Sequence, residues 1–99
     1  YEAATAFYGP EWEHNAEAKE FTLDIVRRLS AYADQWKKEY PYWFSVYSTP
    51  AESLTNRFCS MDRERFGAVP DITAKDYYTN SFHYDVRKKV TPFEKIDFE

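Results

Sequence analysis

The chain has 99 residues, of which 43% are hydrophobic and 20% aromatic, and its formal net charge is −4. This length allows one compact domain at most, burying about 60–65% of the unfolded surface. The acidic balance argues against duplex nucleic acid and anionic membranes as partners. No apolar run approaches the roughly 20 residues that span a bilayer. The single cysteine excludes an internal disulfide and is typical of a reducing cytoplasm.

Both ends of the sequence look like interrupted elements. Residues 1–8 have helical composition and stop at Gly9-Pro10, yet no N-cap and no initiator methionine precede them. Residues 96–99 alternate like the first residues of a strand. We therefore expect residues 1–99 to form a single partial domain of a larger protein.

A long helix from about Asn15 to Tyr40 is the clearest predicted element, with Asn15 as its N-cap. One face carries apolar residues at three- and four-residue spacing: Phe21, Ile25, Leu29, Tyr32 and Trp36. Burying each of them would contribute about 1.5–3 kcal/mol, so this stripe is predicted to be the main part of the core. The opposite face has charges of both signs and reads as a solvated surface.

A short strand and a second helix should follow. Residues 42–47 have the aromatic and β-branched composition of a buried strand. Thr49, Pro50 and Glu52 then match a capping box that opens a helix from Pro50 to about Arg65. The predicted fold class is thus α+β: two main helices with a short strand between them, then short helical turns and extended segments.

The turn between this strand and this helix has two interpretations. A helix N-terminus offers free N–H groups and a positive dipole to an anion, and Ser53 and Arg57 share a neighbouring face. Alternatively the stretch only ends one element and begins the next, with the Glu52 carboxylate occupying the amides. Spacing alone does not decide between a ligand site and a helix cap.

The last third of the chain changes character. Pro70-Asp71 predicts a turn, residues 73–76 a cap for a short helix reaching Tyr78, and residues 91–94 a second capping box. A polar cluster lies between aromatic residues and comprises Thr79, Asn80, Ser81 and His83. It is either a satisfied hydrogen-bond network or a set of substrate contacts.

The sequence contains little that would indicate a metal-binding site or a catalytic nucleophile. His14 lies near Glu11 and Glu13, but there is no Cys-x-x-Cys and no paired-His helix, so no metal ligand is assigned. No glycine-rich phosphate loop, Gly-x-Ser-x-Gly elbow or dinucleotide fingerprint is present. Cys59 lies on the second helix, where we expect a structural role.

Several motifs in order resemble the anaerobic, class III ribonucleoside-triphosphate reductases, which are glycyl-radical enzymes. They are residues 8–15, 48–54, Arg57-Phe58, 77–83 and 91–95. The resemblance implies a segment of a ten-stranded α/β barrel that carries no catalytic residue itself. It places the substrate-phosphate loop at Ser48, Thr49, Pro50, Ala51, Glu52 and Ser53, with Arg57, Asn80 and His83 as further candidates.

The resemblance also implies cofactors and partners for the parent enzyme. These are a glycyl radical, structural zinc, formate as reductant and ATP or dNTP effectors, none of which belongs to this segment. The partners would be the ribonucleoside triphosphate substrate, the rest of the reductase chain and an activating radical-SAM enzyme. The expected location is the cytoplasm. Because the Arg-Val-x-Gly-Tyr radical stretch and paired cysteines are absent, the segment alone should be inactive.

The alternative is a stand-alone α+β interaction module that presents an aromatic face to a partner. One observation would distinguish these two interpretations: whether the gene continues past Glu99 into a strand and a glycyl-radical loop.

Overall fold

The computed structural model describes residues 1–98, and its regular elements are all helical. They are α1 (Glu2–Tyr8), a 3-10 turn (Trp12–His14), α2 (Ala16–Glu39), α3 (Glu52–Phe66) and α4 (Pro92–Phe98). Turns and irregular backbone make up the connections at residues 40–51 and 67–91. None of the helices in this part of the chain combines the length and apolarity that a bilayer crossing requires.

The predicted α+β class is wrong, since residues 1–98 contain no strand. The segment 42–47 is irregular, and most of its large side chains are exposed, Trp43 to 83% and Tyr47 to 71%. Strand propensity takes effect only when a neighbouring strand completes the hydrogen bonds, and the described residues offer none. They likewise supply no strand to a ten-stranded barrel. The strand predicted at residues 96–99 is replaced by α4, with Glu99 outside the described residues.

The long helix α2 forms as predicted. Of its apolar stripe, Phe21 packs against the core, but the other four side chains are exposed. The side chain of Asn15 accepts hydrogen bonds from the amides of Glu17 at 2.9 Å and Ala18 at 3.3 Å, which caps the helix. Along the stripe, Leu29 is 48% and Trp36 44% exposed. The prediction of burial fails because no described residue covers most of this face.

The core is instead small and aromatic, and it joins the two ends of the described chain. Ala4, Trp12 and Ala18 are buried at its centre, with Tyr1, Tyr8, Phe21 and Phe98 packed around them. The Trp12 ring lies 5.5 Å from that of Phe98. Aromatic pairs at such separations add to the energy of burial, so α4 packs against the start of the chain.

One buried carboxylate, Glu13, and one largely buried carboxylate, Glu2, hold this core to the last third of the chain. Glu13 is 1% exposed at its side chain and pairs with the ammonium of Lys88 at 2.7 Å. It also accepts a hydrogen bond from the hydroxyl of Tyr1, and Lys88 donates to the carbonyl of Pro10. A buried charge is tolerated only with such partners.

The second carboxylate, Glu2, links α1 to the segment before residue 80. It accepts from the ammonium of Lys75 at 2.6 Å and from the amide of Thr79 at 2.7 Å. Lys75 is 3% exposed at its side chain. Burial opposes ionisation of Glu2, but Lys75 and Thr79 outweigh it and hold the pKa of Glu2 below its usual value.

Side chains of helix α3 form hydrogen bonds with the backbone of residues 75 and 76. The thiol of Cys59 donates to the carbonyl of Lys75 at 3.2 Å, and Arg63 donates to the same oxygen at 2.8 Å. Asn56 donates to the carbonyl of Asp76 at 2.7 Å. The short helix predicted up to Tyr78 is therefore wrong, because side chains of α3 take the carbonyls that such a helix would need.

The second predicted capping box is confirmed at α4. The hydroxyl of Thr91 accepts from the amide of Glu94 at 3.3 Å, while the Glu94 carboxylate accepts from the amide of Thr91 at 2.8 Å. These bonds to Thr91 lower the pKa of Glu94. All the partners lie within four residues, so the sequence pattern suffices to specify them.

Glu2→Gln tests the buried pair through its pH dependence. Since the pKa of Glu2 is lowered from 4.5, its charge stabilises the folded chain above pH 4.5 and this contribution disappears as the pH falls further. We expect the substitution to cost about 1–3 kcal/mol near neutral pH. Urea denaturation between about pH 6 and pH 3 should show a weaker pH dependence for the variant. Glu64→Gln, on the exposed side of α3, is the control, and identical profiles for both variants would contradict the assignment.

The exposed stripe of α2 predicts self-association of the 99-residue chain. Apolar side chains in a continuous row gain free energy by excluding water from a second protein surface. We expect sedimentation velocity to show concentration-dependent association that the pair Leu29→Gln and Trp36→Gln reduces. Lys38→Gln, on the charged face, should leave it unchanged. A strictly monomeric chain at high concentration would count against this prediction.

Candidate phosphate-binding site

The loop of residues 48–51 leads into α3, and the helix begins differently from the prediction. Its first residue is Glu52 and its N-cap position is Ala51, with φ −110° and ψ 43° and no side-chain hydrogen bond. The predicted capping box of Thr49 and Glu52 is therefore wrong. Thr49 lies two residues ahead of the cap position, where its hydroxyl does not serve the first turn.

Two side chains from a distant segment hold this loop instead. The amide of Ala51 donates to Oδ1 of Asn80, and the amide of Thr49 donates to Oγ of Ser81, both at 3.2 Å. The backbone of Ser81 has φ 54°, a left-handed conformation that costs a residue with a Cβ about 1–2 kcal/mol. Tertiary contacts must hold Ser81 in this conformation.

The first turn of α3 keeps its amides open. The first bond of the helix runs from the amide of Thr55 to the carbonyl of Ala51 at 3.0 Å. Among residues 1–98, no acceptor bonds the amides of Glu52, Ser53 or Leu54. The Glu52 carboxylate does not fold back onto them, so the positive end of the helix faces outward with donors available to an anion.

The structure brings together some of the predicted site residues and leaves others apart. Ser53 and Arg57 are exposed, four residues apart on α3. Asn80 and His83 line a cleft of about 380 Å³ with Glu52 and other residues of that segment. Arg57 does not line this cleft. The structure thus places Asn80 and His83 beside the first residue of α3, and leaves Arg57 exposed in the second turn.

The polar cluster at residues 79–83 acts largely as a hydrogen-bond network. Asn80 and Ser81 accept from the loop, and the amide of His83 donates to the carbonyl of Asn80 at 3.1 Å. Thr79 Oγ1 is buried without a hydrogen-bond partner in the described part of the chain. The cluster was visible in the sequence, but its attachment to the loop was not.

Sequence reasoning missed the residues that support this cluster, Glu2 and Lys75. Glu2 sits in an ordinary helical stretch and Lys75 in a predicted turn, so neither carries a local pattern that would reveal burial. Their ion pair joins positions 73 residues apart. A lysine or glutamate is otherwise most often exposed.

Cys59 and the histidines belong to no metal-binding group among the described residues. Cys59 is fully buried, and its thiol donates to backbone carbonyls, which agrees with the expected structural role. Within residues 1–98, no group of three or more His, Cys, Asp and Glu side chains is arranged to hold a metal ion.

Comparison with known families decides where the chain belongs. A family model described as anaerobic ribonucleoside-triphosphate reductase matches residues 1–99. The chain belongs to this reductase family. The resemblance of its motifs to these enzymes is thereby confirmed.

Individual relatives bear the same name. The anaerobic ribonucleoside-triphosphate reductase of Escherichia coli (strain K12) is 51% identical over 100 residues, covering 100% of this chain. That of Haemophilus influenzae (strain ATCC 51907 / DSM 11121 / KW20 / Rd) is 51% identical over 83 residues, or 84% of this chain. That of Enterobacteria phage T4 is 49% identical over 76 residues, or 77%. The matched regions are 14%, 12% and 13% of those reductases, so the chain spans a small part of their length.

Proposed function

We propose that the chain is a segment of an anaerobic ribonucleoside-triphosphate reductase and that residues 48–53 hold the triphosphate of the substrate. The reaction of the whole enzyme would replace the ribose 2′-hydroxyl with hydrogen and yield deoxyribonucleotides. Membership of the reductase family along residues 1–99 supports this reaction class. The loop assignment follows from the family motif at Ser48 to Ser53 and from the geometry of α3.

The observation that carries the proposal is the open first turn of α3. Its amides meet no acceptor within residues 1–98, and a phosphate oxygen is the ligand such a turn favours. The dipole contributes about 1–2 kcal/mol, and each hydrogen bond to the charged phosphate about 1.5–3 kcal/mol. Association costs about 4–15 kcal/mol and ordering of the loop costs more, which offsets most of this gain, so we expect the isolated chain to bind nucleotide more weakly than roughly 1 mM.

Each residue of the loop has a distinct role in this proposal. The amides of Glu52 to Leu54 and the hydroxyl of Ser53 donate to phosphate oxygens. Arg57, on the neighbouring face, adds positive charge, and the exposed hydroxyls of Ser48 and Thr49 lie at the rim. Pro50 and Ala51 carry no polar side chain and allow close approach. Of the two candidates in the adjoining cleft, His83 remains a candidate for a substrate contact, whereas Asn80 Oδ1 accepts from the amide of Ala51.

The cofactors and partners of the whole reductase are also proposals. Following the family, we infer a glycyl radical installed by a radical-SAM enzyme, a structural zinc, formate as reductant, ATP and dNTP effectors, and a cytoplasmic location. The residues present do not fit the zinc or the radical site. The sole cysteine is buried against backbone carbonyls, and no Arg-Val-x-Gly-Tyr stretch occurs. We assign residues 1–99 to one partial domain that contributes substrate binding rather than radical chemistry.

Ser53→Ala in the full-length reductase tests the phosphate loop. Loss of one hydroxyl donor to a charged ligand, about 1.5–3 kcal/mol, should raise KM about tenfold to a hundredfold. The increase should be similar for every ribonucleoside triphosphate, because phosphate contacts do not distinguish bases. Steady-state kinetics with each substrate measures this, and Ser30→Ala on α2 is the control. A loss confined to one base, or unchanged KM, would mean that the motif only begins a helix.

The purified 99-residue chain should form no deoxyribonucleotide. The family's radical-bearing residues are absent from its sequence, so substrate binding has no chemistry to follow it. Chromatographic product analysis after incubation with an activating enzyme, formate and all four triphosphates provides the measurement. Full-length reductase under the same conditions is the positive control. Product formed by the short chain would refute this division of roles.

A further inference from the structure

The loop at residues 48–51 depends on a distant segment for its conformation. We propose that Asn80 and Ser81 are positioning residues that fix the loop and so aim the open first turn of α3 at the substrate phosphates. This inference rests on the proposed phosphate-binding function of the loop. It gives Asn80 and Ser81 a defined task that acts through the backbone of Thr49 and Ala51.

The hydrogen bonds of the loop support this role. The amide of Thr49 donates to Ser81 Oγ and the amide of Ala51 to Asn80 Oδ1, each at 3.2 Å. Among residues 1–98, no other hydrogen bond ties loop 48–51 to a distant segment. Irregular backbone with few bonds samples many conformations, so these two acceptors restrict its motion.

The acceptors themselves are anchored to α1. Thr79, next to Asn80, donates its amide to the Glu2 carboxylate at 2.7 Å. Lys75 pairs with the same carboxylate at 2.6 Å. An exposed ion pair contributes little, whereas separating this one would leave the buried ammonium of Lys75 without a compensating charge. The backbone that presents Asn80 and Ser81 is therefore fixed at its N-terminal side.

The same backbone is also bonded to α3. The amide of Tyr78 donates to the carbonyl of Thr55 at 3.2 Å, and the hydroxyl of Tyr78 donates to Asp62 at 2.7 Å. Burial and the Asp62 carboxylate raise the pKa of Tyr78 above its usual value, so its hydroxyl keeps donating to Asp62 into the alkaline range. Segment 78–81 thus connects the body of α3 to the loop that precedes the same helix. Loop and first turn are held as one unit.

The chemistry of the two acceptors suits a site for anions. Both oxygens are neutral, so they order two amides without placing negative charge beside a phosphate. They also occupy the amides of Thr49 and Ala51, which directs the ligand to the amides of the first turn. Binding through backbone donors requires placement within about 0.5 Å. Losing either acceptor should weaken substrate binding without removing any group that touches the substrate.

Two substitutions in the full-length reductase test the proposal. Ser81→Gly removes the hydroxyl and relieves the left-handed backbone, so it separates lost positioning from poor folding. Asn80→Ala removes the second acceptor. Each should raise KM for all four ribonucleoside triphosphates about threefold to tenfold and leave kcat within about twofold. Hydrogen exchange of peptides covering residues 47–52 should become about fivefold faster, and Ser45→Gly should change neither quantity.

The outcomes separate this inference from the proposed function. If Ser53→Ala raises KM while Ser81→Gly and Asn80→Ala do not, the positioning role is wrong and the phosphate loop stands. Unchanged KM in all three variants overturns both. Faster exchange throughout the protein, rather than at residues 47–52, would show a general structural role and also overturn the inference. Increased KM with local loss of protection supports it.

Discussion

The arrangement of the candidate site depends on one largely buried carboxylate, that of Glu2, and on its ion pair with the buried Lys75. A carboxylate removed from water must be paired, and Lys75 and the amide of Thr79 satisfy it. This requirement brings the irregular segment after α3 against the first helix. Asn80 and Ser81 follow directly, so the constraint on Glu2 extends to the loop before α3. A short helix with no polar motif of its own thus determines where a distant loop is held.

Helix α3 begins without the side-chain cap that its sequence pattern predicts. A side-chain cap would contribute about 1 kcal/mol and satisfy one of the first amides. Here the loop is stabilised by Asn80 and Ser81, and the amides of the first turn stay open. Local stability given up in this way is common where a site must receive a ligand. The predicted competition between cap and anion site is therefore absent, which supports our proposal for the loop.

On α2, too, the sequence pattern predicts the helix but not the burial of its apolar face. Its spacing correctly predicts a helix, because helical hydrogen bonds and apolar periodicity are local. The spacing does not indicate which protein surface covers the stripe. Among the described residues, nothing covers most of it, and Leu29 and Trp36 remain about half exposed. In a family whose members are much longer than this chain, such a face is suited to pack against other protein surfaces.

The sequence by itself determined several local elements and the family. The Asn15 cap, the box at Thr91 and the span of α2 involve partners a few residues apart, and ordered motifs sufficed to recognise the reductases. Tertiary structure decided the rest: the absent strand at residues 42–47, and the acceptors of loop 48–51, which lie 32 and 29 residues away. Hydrogen bonds between distant segments compete with local hydrogen bonds. Which of them form depends on tertiary packing, which a short sequence pattern does not specify.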